Sequence, residues 1–93
     1  MKLLTRENLI KCYKGAKSYE KRYVGVLIEM TGFEKPEVII NQSENFDKKL
    51  AYYIDAYDEN LNHKHAQGIK IIGFTHGNYF DDIEEDLLVG FYR

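Results

Sequence analysis

A chain of 93 residues, with hydrophobic residues at 44% and charged residues at 30%, is long enough for a single domain with a modest core. Its only cysteine, Cys12, excludes an internal disulfide and is typical of a reducing compartment. The start of the chain is charged where a signal peptide would be apolar, and no apolar run approaches the roughly 20 residues of a membrane span. We therefore predict a cytoplasmic protein without membrane association.

The formal net charge of −2 conceals an uneven distribution of charge along the chain. Residues 1–23 contain seven Lys or Arg and two acidic residues, whereas residues 24–93 contain six basic and thirteen acidic residues. Such a distribution creates fields that attract charged partners but do not specify a fold. The sequence therefore predicts one basic surface and one acidic surface.

The first predicted element is a helix over residues 6–18. Thr5 has the position and side chain of an N-cap, and Leu4 and Leu9 have the spacing of a hydrophobic staple around it. The apolar side of this helix would be formed by Leu9, Ile10, Tyr13 and Ala16. The pattern predicts an amphipathic helix at the basic end of the chain.

The next two predicted elements are strands joined as a hairpin. Between residues 22 and 30 alternate positions are apolar, which is the pattern of a half-buried strand: Val24, Val26, Ile28 and Met30. Gly32 and Pro36 favour a turn over residues 31–36, and residues 37–41 form a second short apolar run. A hairpin is the shortest connection between these two runs.

A second helix is predicted after the hairpin. Ser43 is placed to cap it. Its apolar stripe follows at spacings of three and four residues and is formed by Phe46, Leu50, Ile54, Tyr57 and Leu61. The polar segment over residues 60–68 ends this helix.

The last two predicted elements are a strand and a helix. Residues 69–75 are apolar and rich in β-branched side chains, so we expect a strand that is buried on both faces. Asn78 is placed to cap a final helix, and Gly90 is placed to end it. The core side of this helix would be formed by Phe80, Ile83 and Leu87.

The order α-β-β-α-β-α predicts one α+β domain over residues 1–93. Its sheet would have three strands, mainly antiparallel, packed against helices, with the middle helix across one face. The edge of the hairpin that the last strand joins is left open by the sequence.

The acidic residues of the final helix are the first candidate site. They are Asp81, Asp82, Glu84, Glu85 and Asp86. The helix dipole favours acids in the first turn, but five carboxylates in six residues exceed what that effect requires. A second acidic patch is expected at the end of the middle helix, from Asp55, Asp58 and Glu59. Carboxylates in such numbers could imitate a row of phosphates and occupy a host protein's nucleic-acid channel. The alternative is that they are solvated surface charges.

The basic start of the chain is the second candidate site. Its cations are Lys11, Lys14, Lys17, Lys21 and Arg22, and they alternate with Tyr13, Tyr19 and Tyr23. Lysines that neutralise phosphates and tyrosines that stack on bases are a combination used by single-strand binders. The alternative is that Tyr13 lies in the core and the lysines are merely solvated.

Signals for catalysis or metal binding are weak. His63 and His65 form a pair in a polar loop, a pattern that lacks the further ligands of a zinc site. Cys12 lies beside Lys11, but nothing in the sequence connects it to a base such as His76. We therefore expect no enzymatic activity, no metal and no cofactor.

Composition also points to an origin. Lys, Asn, Ile and Tyr supply 33 of the 93 positions, while Ala, Pro and Arg supply eight, which is typical of an A/T-rich genome. In size, acidity and inferred genomic background the chain resembles the small accessory proteins of Gram-positive phages and mobile elements. That group includes anti-CRISPR proteins and other counter-defence inhibitors. The resemblance implies a binder that acts without catalysis.

Three functional hypotheses follow from these observations. The first is a protein-interaction module whose acidic helices bind, and inhibit, a host nucleic-acid-binding protein. The second is a small regulator that binds nucleic acid directly through its basic first helix. The third is a structural or oligomerisation domain, in which the basic face of one copy docks on the acidic face of another.

Overall fold

The computed structural model describes residues 3–92, with side chains described as far as Val89. The elements are α1 (Arg6–Ser18), β1 (Tyr23–Met30), β2 (Glu37–Gln42), α2 (Phe46–Ala56), β3 (Ile69–Gly77) and α3 (Phe80–Tyr92), with a 3-10 turn over Ser43–Asn45 before α2. The predicted order α-β-β-α-β-α is confirmed.

The sheet has the strand order β2-β1-β3, and both pairings are antiparallel. The central strand β1 places Val26 opposite Ile39 of β2 and opposite Phe74 of β3. The third strand therefore joins β1 on the side away from β2, which answers the question that the sequence left open. It also leaves β2 and β3 as the two edges of the sheet.

Helices cover both faces of this sheet. Side chains alternate between the two faces along β1. Val24, Val26 and Ile28 point into the core shared with α1 and α2, and Leu27 points toward α3. The larger core contains Leu9, Tyr13, Ala16, Phe46, Tyr53, Ala56, Tyr57, Leu61, Ile71 and Phe74. The smaller one contains Leu27, Ile83 and Leu87. The fold therefore has three layers, with α1 and α2 on one side and α3 on the other.

A β-bulge explains how β3 serves both cores. Leu27 stands opposite Gly73 and Ile28 stands opposite Ile71, so Ile72 has no direct partner on β1. Because of this extra residue, the side chains of Ile71 and Phe74 lie on the same face of the sheet, although the two residues are three positions apart in sequence. Ile72 packs against the smaller core instead.

The first helix begins and ends where the sequence predicts. The Asn8 backbone N–H donates to Thr5 Oγ1 at 3.2 Å, which is the N-cap hydrogen bond. Leu4 packs against the core that contains Leu9, as expected for a hydrophobic staple.

The middle helix is shorter than its predicted stripe, and the prediction that Ser43 caps it is wrong. Ser43 opens the 3-10 turn, and its carbonyl accepts the N–H of Phe46. The helix ends at Ala56 because Tyr57 takes an extended conformation with φ −118° and ψ 145°. Tyr57 and Leu61 are buried beyond the helix rather than on it.

Both predicted ends of the last helix are also wrong. Asn78 does not cap α3, which begins two residues later, at Phe80. Its side-chain Oδ1 accepts the backbone N–H of Arg22 at 3.2 Å and so ties the end of β3 to the start of β1. The helix continues through Gly90 to Tyr92.

Candidate protein-binding surface on α3

Helix α3 lies close to the sheet because glycines occupy the strand positions beneath it. Ile83 and Leu87 are its buried anchors. A Cβ atom added at Gly25 would overlap Cγ2 of Ile83, and one added at Gly73 would lie 3.4 Å from Cδ2 of Leu87. Since the sheet offers no side chains at these points, the helix backbone comes near the strands and its remaining positions face outward.

All five carboxylates of α3 named by the sequence analysis are exposed: Asp81, Asp82, Glu84, Glu85 and Asp86. Two of them, Asp81 and Asp82, lie in the first turn, where the helix dipole stabilises negative charge. Glu84, Glu85 and Asp86 lie beyond that turn, where the effect has faded. Local helix stabilisation therefore accounts for two of the acids and leaves three without a structural role.

Exposed apolar side chains accompany these carboxylates. Tyr79 and Phe80 precede them, and Val89 follows them along the helix. The ring of Phe80 meets that of Tyr23 edge-on, with 6.1 Å between centroids, which leaves half of Phe80 accessible. Aromatic groups beside polar ones are typical of protein interfaces, where buried aromatics supply much of the binding free energy.

The second predicted acidic patch does not adjoin the first. Asp55 lies on α2, on the opposite face of the sheet from α3. Asp58 and Glu59 lie in the turn after α2, where Asp58 Oδ1 accepts the backbone N–H groups of Asn60 and Asn62. The structure therefore separates these three residues from the carboxylates of α3 and gives Asp58 a role in holding a turn.

Arg6 fixes the position of that turn against α1. Its backbone N–H donates to the carbonyl of Glu59 at 3.0 Å, and its Nη1 donates to the carbonyl of Tyr57 at 3.2 Å. A cation at the carboxyl end of α2 is also favoured by the helix dipole. One charge of the basic segment is thus used within the fold.

The predicted basic site is divided among several environments. Lys11 Nζ lies 3.6 Å from Glu7 Oε1, and Lys17 Nζ lies 2.7 Å from Asp47 Oδ1 on α2. Lys14 is exposed, whereas Lys21 is half-buried.

The aromatic groups near these cations are only partly accessible. Arg22 stands over the ring of Tyr23 at 5.7 Å. Tyr13 is fully buried, and its hydroxyl donates to Asn41 Oδ1 at 2.9 Å, so it cannot stack on a base. Tyr19 remains exposed.

The candidate cations of α1 and the carboxylates of α3 lie on opposite faces of the sheet. Among the described residues, the ion pairs join Lys11 to α1 itself and Lys17 to α2, and none reaches a carboxylate of α3. Because the sheet stands between α1 and α3, the two charged surfaces do not neutralise one another by direct contact. The acidic surface of α3 is therefore open to a partner.

A groove that the sequence analysis did not predict runs between α1 and β3. It has a volume of about 610 Å³ and is lined by Leu3, Asn8, Lys11, Cys12, Phe74, Thr75 and His76. The groove brings Cys12 and His76 into one site, but both residues already make interactions within the protein. No local sequence pattern could indicate this groove, because it forms only where β3, paired with β1, lies against α1.

The histidine pair of the polar loop has a local role. The Nδ1 atom of His63 accepts the backbone N–H groups of His65 and Ala66, each at 3.1 Å. Within the described residues, no three His, Cys, Asp or Glu side chains stand together as metal ligands would.

Comparison with known proteins adds no functional information. No protein-family model, curated protein or solved structure matches this chain significantly. None of the helices in the described part of the chain is long and apolar enough to cross a membrane.

Proposed function

We propose that this chain is a non-catalytic protein-interaction module whose α3 surface binds, and inhibits, a host nucleic-acid-binding protein. The observation that carries the proposal is the set of three exposed carboxylates beyond the first turn of α3, namely Glu84, Glu85 and Asp86. No cation among the described residues pairs with them.

The geometry of α3 suits the imitation of phosphates. Its carboxylates project from a helix that the buried side chains of Ile83 and Leu87 anchor to the sheet, so the backbone that carries them is in place before a partner arrives. At physiological salt the field of an exposed charge extends about 8 Å, and several like charges acting together steer a cationic partner over that range. A channel that attracts DNA would attract this surface by the same forces.

The resemblance to accessory proteins of phages and mobile elements gives this activity a biological setting. An inhibitor of host defence works by occupying a surface, and a small rigid domain with one strongly acidic face is suited to that task.

Direct nucleic-acid binding through α1 has less support. Two of its five candidate cations, Lys11 and Lys17, already lie within 4 Å of a carboxylate. Tyr13, which the hypothesis needs for stacking on bases, is buried in the core. The remaining cations, Lys14, Lys21 and Arg22, would have to supply most of the phosphate contacts.

Reversing charge at Glu84→Lys, Glu85→Lys and Asp86→Lys together should abolish capture of the partner while the fold survives. These positions are exposed and lie outside the first turn, so the change spares the core and the acids that the helix dipole stabilises. The measurement is a pull-down from a low-GC Gram-positive lysate with quantitative mass spectrometry, together with circular dichroism and a thermal melt of each variant.

The matched control carries Glu29→Lys, Glu34→Lys and Glu44→Lys, which are exposed positions outside α3. Both variants raise the formal net charge by the same amount. If only the α3 variant loses capture of the partner, the position of the carboxylates, and not the total charge, determines binding. Undiminished capture by the α3 variant, or equal loss in both variants, would reject the proposal.

A further inference from the structure

A loop over residues 57–68 joins α2 to β3, and its first half has its own attachments to the fold. Leu61 is fully buried, and its carbonyl accepts the N–H of Ile71 at 2.9 Å. The Leu61 N–H donates to the Asp58 carbonyl at 3.0 Å, and Asp58 Oδ1 accepts the N–H of Asn62 at 3.0 Å. None of these hydrogen bonds involves a histidine side chain.

The second half of the loop depends on the side chain of His63. Its Nδ1 atom accepts the backbone N–H groups of His65 and Ala66, each at 3.1 Å. Within the described part of the chain, these two N–H groups have no other acceptor. One ring nitrogen therefore holds the turn over residues 63–66 closed.

Acceptance at Nδ1 requires one protonation state of the His63 ring. In the neutral imidazole with its proton on Nε2, the Nδ1 atom carries a lone pair and accepts hydrogen bonds. In the imidazolium both ring nitrogens carry protons, and both can only donate. Protonation of His63 therefore points a third N–H at the two backbone N–H groups, and both hydrogen bonds are lost.

Two rings face that of His63, and neither replaces the lost acceptor. The Tyr57 ring meets it edge-on with 5.0 Å between centroids, and Tyr57 stays a neutral phenol because burial raises its pKa to about 12. Contact with an aromatic ring is favourable for a cation, but it supplies no acceptor for the two N–H groups. The His65 ring lies 6.1 Å away, and a positive charge on it would repel one on His63.

The charged residues that adjoin the loop do not hold a protonated His63 in place either. Lys64 follows His63 in sequence, and Lys70 of β3 pairs with Asn62. The acidic residues at the end of α2 and in the turn after it are Asp55, Asp58 and Glu59. Among the residues that the structure describes, no carboxylate forms an ion pair with His63.

We propose that His63 is a proton-operated latch: the neutral ring holds residues 63–66 closed, and the imidazolium releases them while the first half of the loop stays anchored. The closed turn is fully stable above about pH 6.5, the value for an ordinary histidine, and its stability is lost as the pH falls below that. The loop would then change shape with pH while the core and the sheet stay intact. This device does not depend on the function proposed for α3.

The test is NMR spectroscopy of the whole chain over a pH series from about 7.5 to about 4.5. The nitrogen shifts of the His63 ring report its protonation, and amide exchange, corrected for the intrinsic rate at each pH, reports the two hydrogen bonds. We expect Nδ1 to be unprotonated at the highest pH. Protection of the His65 and Ala66 amides should fall by about tenfold or more as the ring gains its proton. The Leu61 and Ile71 amides should keep their protection, which distinguishes opening of the turn from acid unfolding.

Two substitutions at His63 make the test specific. His63→Asn places an acceptor oxygen as many bonds from the main chain as Nδ1 and takes up no proton, so the His65 and Ala66 amides should stay protected throughout the series. His63→Ala removes the acceptor, so both amides should be unprotected at every pH. His65→Gln, at an exposed position, should leave the pH dependence at Ala66 in place.

The proposal would be overturned if the His65 and Ala66 amides kept their protection while the His63 ring became protonated. It would also be overturned by a His63 ring that stays neutral over the whole series, or by a proton on Nδ1 at the highest pH. Loss of protection at Leu61 and Ile71 in parallel with the turn would do the same. So would a His63→Asn variant with the pH dependence of the wild type.

Discussion

Gly25→Ala should lower the free energy of unfolding by about 1–3 kcal/mol, the usual cost of overpacking a well-filled core. The added methyl group would overlap Cγ2 of Ile83 and lie 3.1 Å from Cδ1 of Leu87. Because Cγ2 is attached to the Cβ atom of a β-branched side chain, rotation cannot move it far, and α3 must shift away from the sheet. Denaturant unfolding of the purified variant measures the loss.

Two further variants make this prediction specific. Gly73→Ala places its methyl group 3.4 Å from Cδ2 of Leu87, an ordinary contact, so its effect should be much smaller. Ile83→Ala combined with Gly25→Ala should cost less than the sum of the two single changes, because truncation removes the overlapping atom. The close packing of α3 would be contradicted if Gly25→Ala and Gly73→Ala lowered the free energy of unfolding equally. It would also be contradicted if the effects of Gly25→Ala and Ile83→Ala were strictly additive.

Stability should fall steeply above pH 10, because the core contains several tyrosine hydroxyls. Burial raises the pKa of Tyr13 and of Tyr53 well above the ordinary value of 10 and raises the pKa of Tyr57 to about 12. The folded state therefore favours the neutral phenols. Their contribution is fully present below pH 10 and is lost as the pH rises through the folded-state pKa values, since the unfolded chain ionises first.

Each such tyrosine should lower stability by up to about 1.4 kcal/mol per pH unit between its unfolded and folded pKa values. Denaturant titrations at a series of pH values from 9 to about 12 would measure the slope, and tyrosinate absorbance would show ionisation accompanying unfolding. Tyr53→Phe keeps the ring and removes one ionisable group, so the stability of this variant should fall less steeply with pH, by up to about 1.4 kcal/mol per pH unit. A slope unaffected by that substitution would contradict the burial of the hydroxyl.

Local sequence patterns predicted the elements that depend on local interactions. The cap at Thr5 and the apolar spacing of α1 lie within one segment, and they gave its boundaries correctly. The predicted caps at Ser43 and Asn78 were wrong. Ser43 opens a 3-10 turn instead. Asn78 finds its partner in Arg22, which is 56 residues away in sequence, and a tertiary hydrogen bond of this kind leaves no local pattern.

The candidate site was predictable only in part. Composition indicated the acidic helix, and in the structure Glu84, Glu85 and Asp86 are exposed. It could not indicate that Asp58 is used within a turn, because that depends on the backbone path after α2. Composition also could not show that Asp55 and α3 lie on opposite faces of the sheet, since the face that each helix covers follows from the strand order.

We propose that α3 occupies a surface of its partner that otherwise binds nucleic acid. The most direct measurement is competition on the purified partner, with fluorescently labelled DNA displaced by increasing amounts of this protein. We predict complete displacement by the wild type at a stoichiometric ratio and none by the variant reversed at Glu84, Glu85 and Asp86. A ternary complex in which partner, DNA and this protein are bound together would contradict the account.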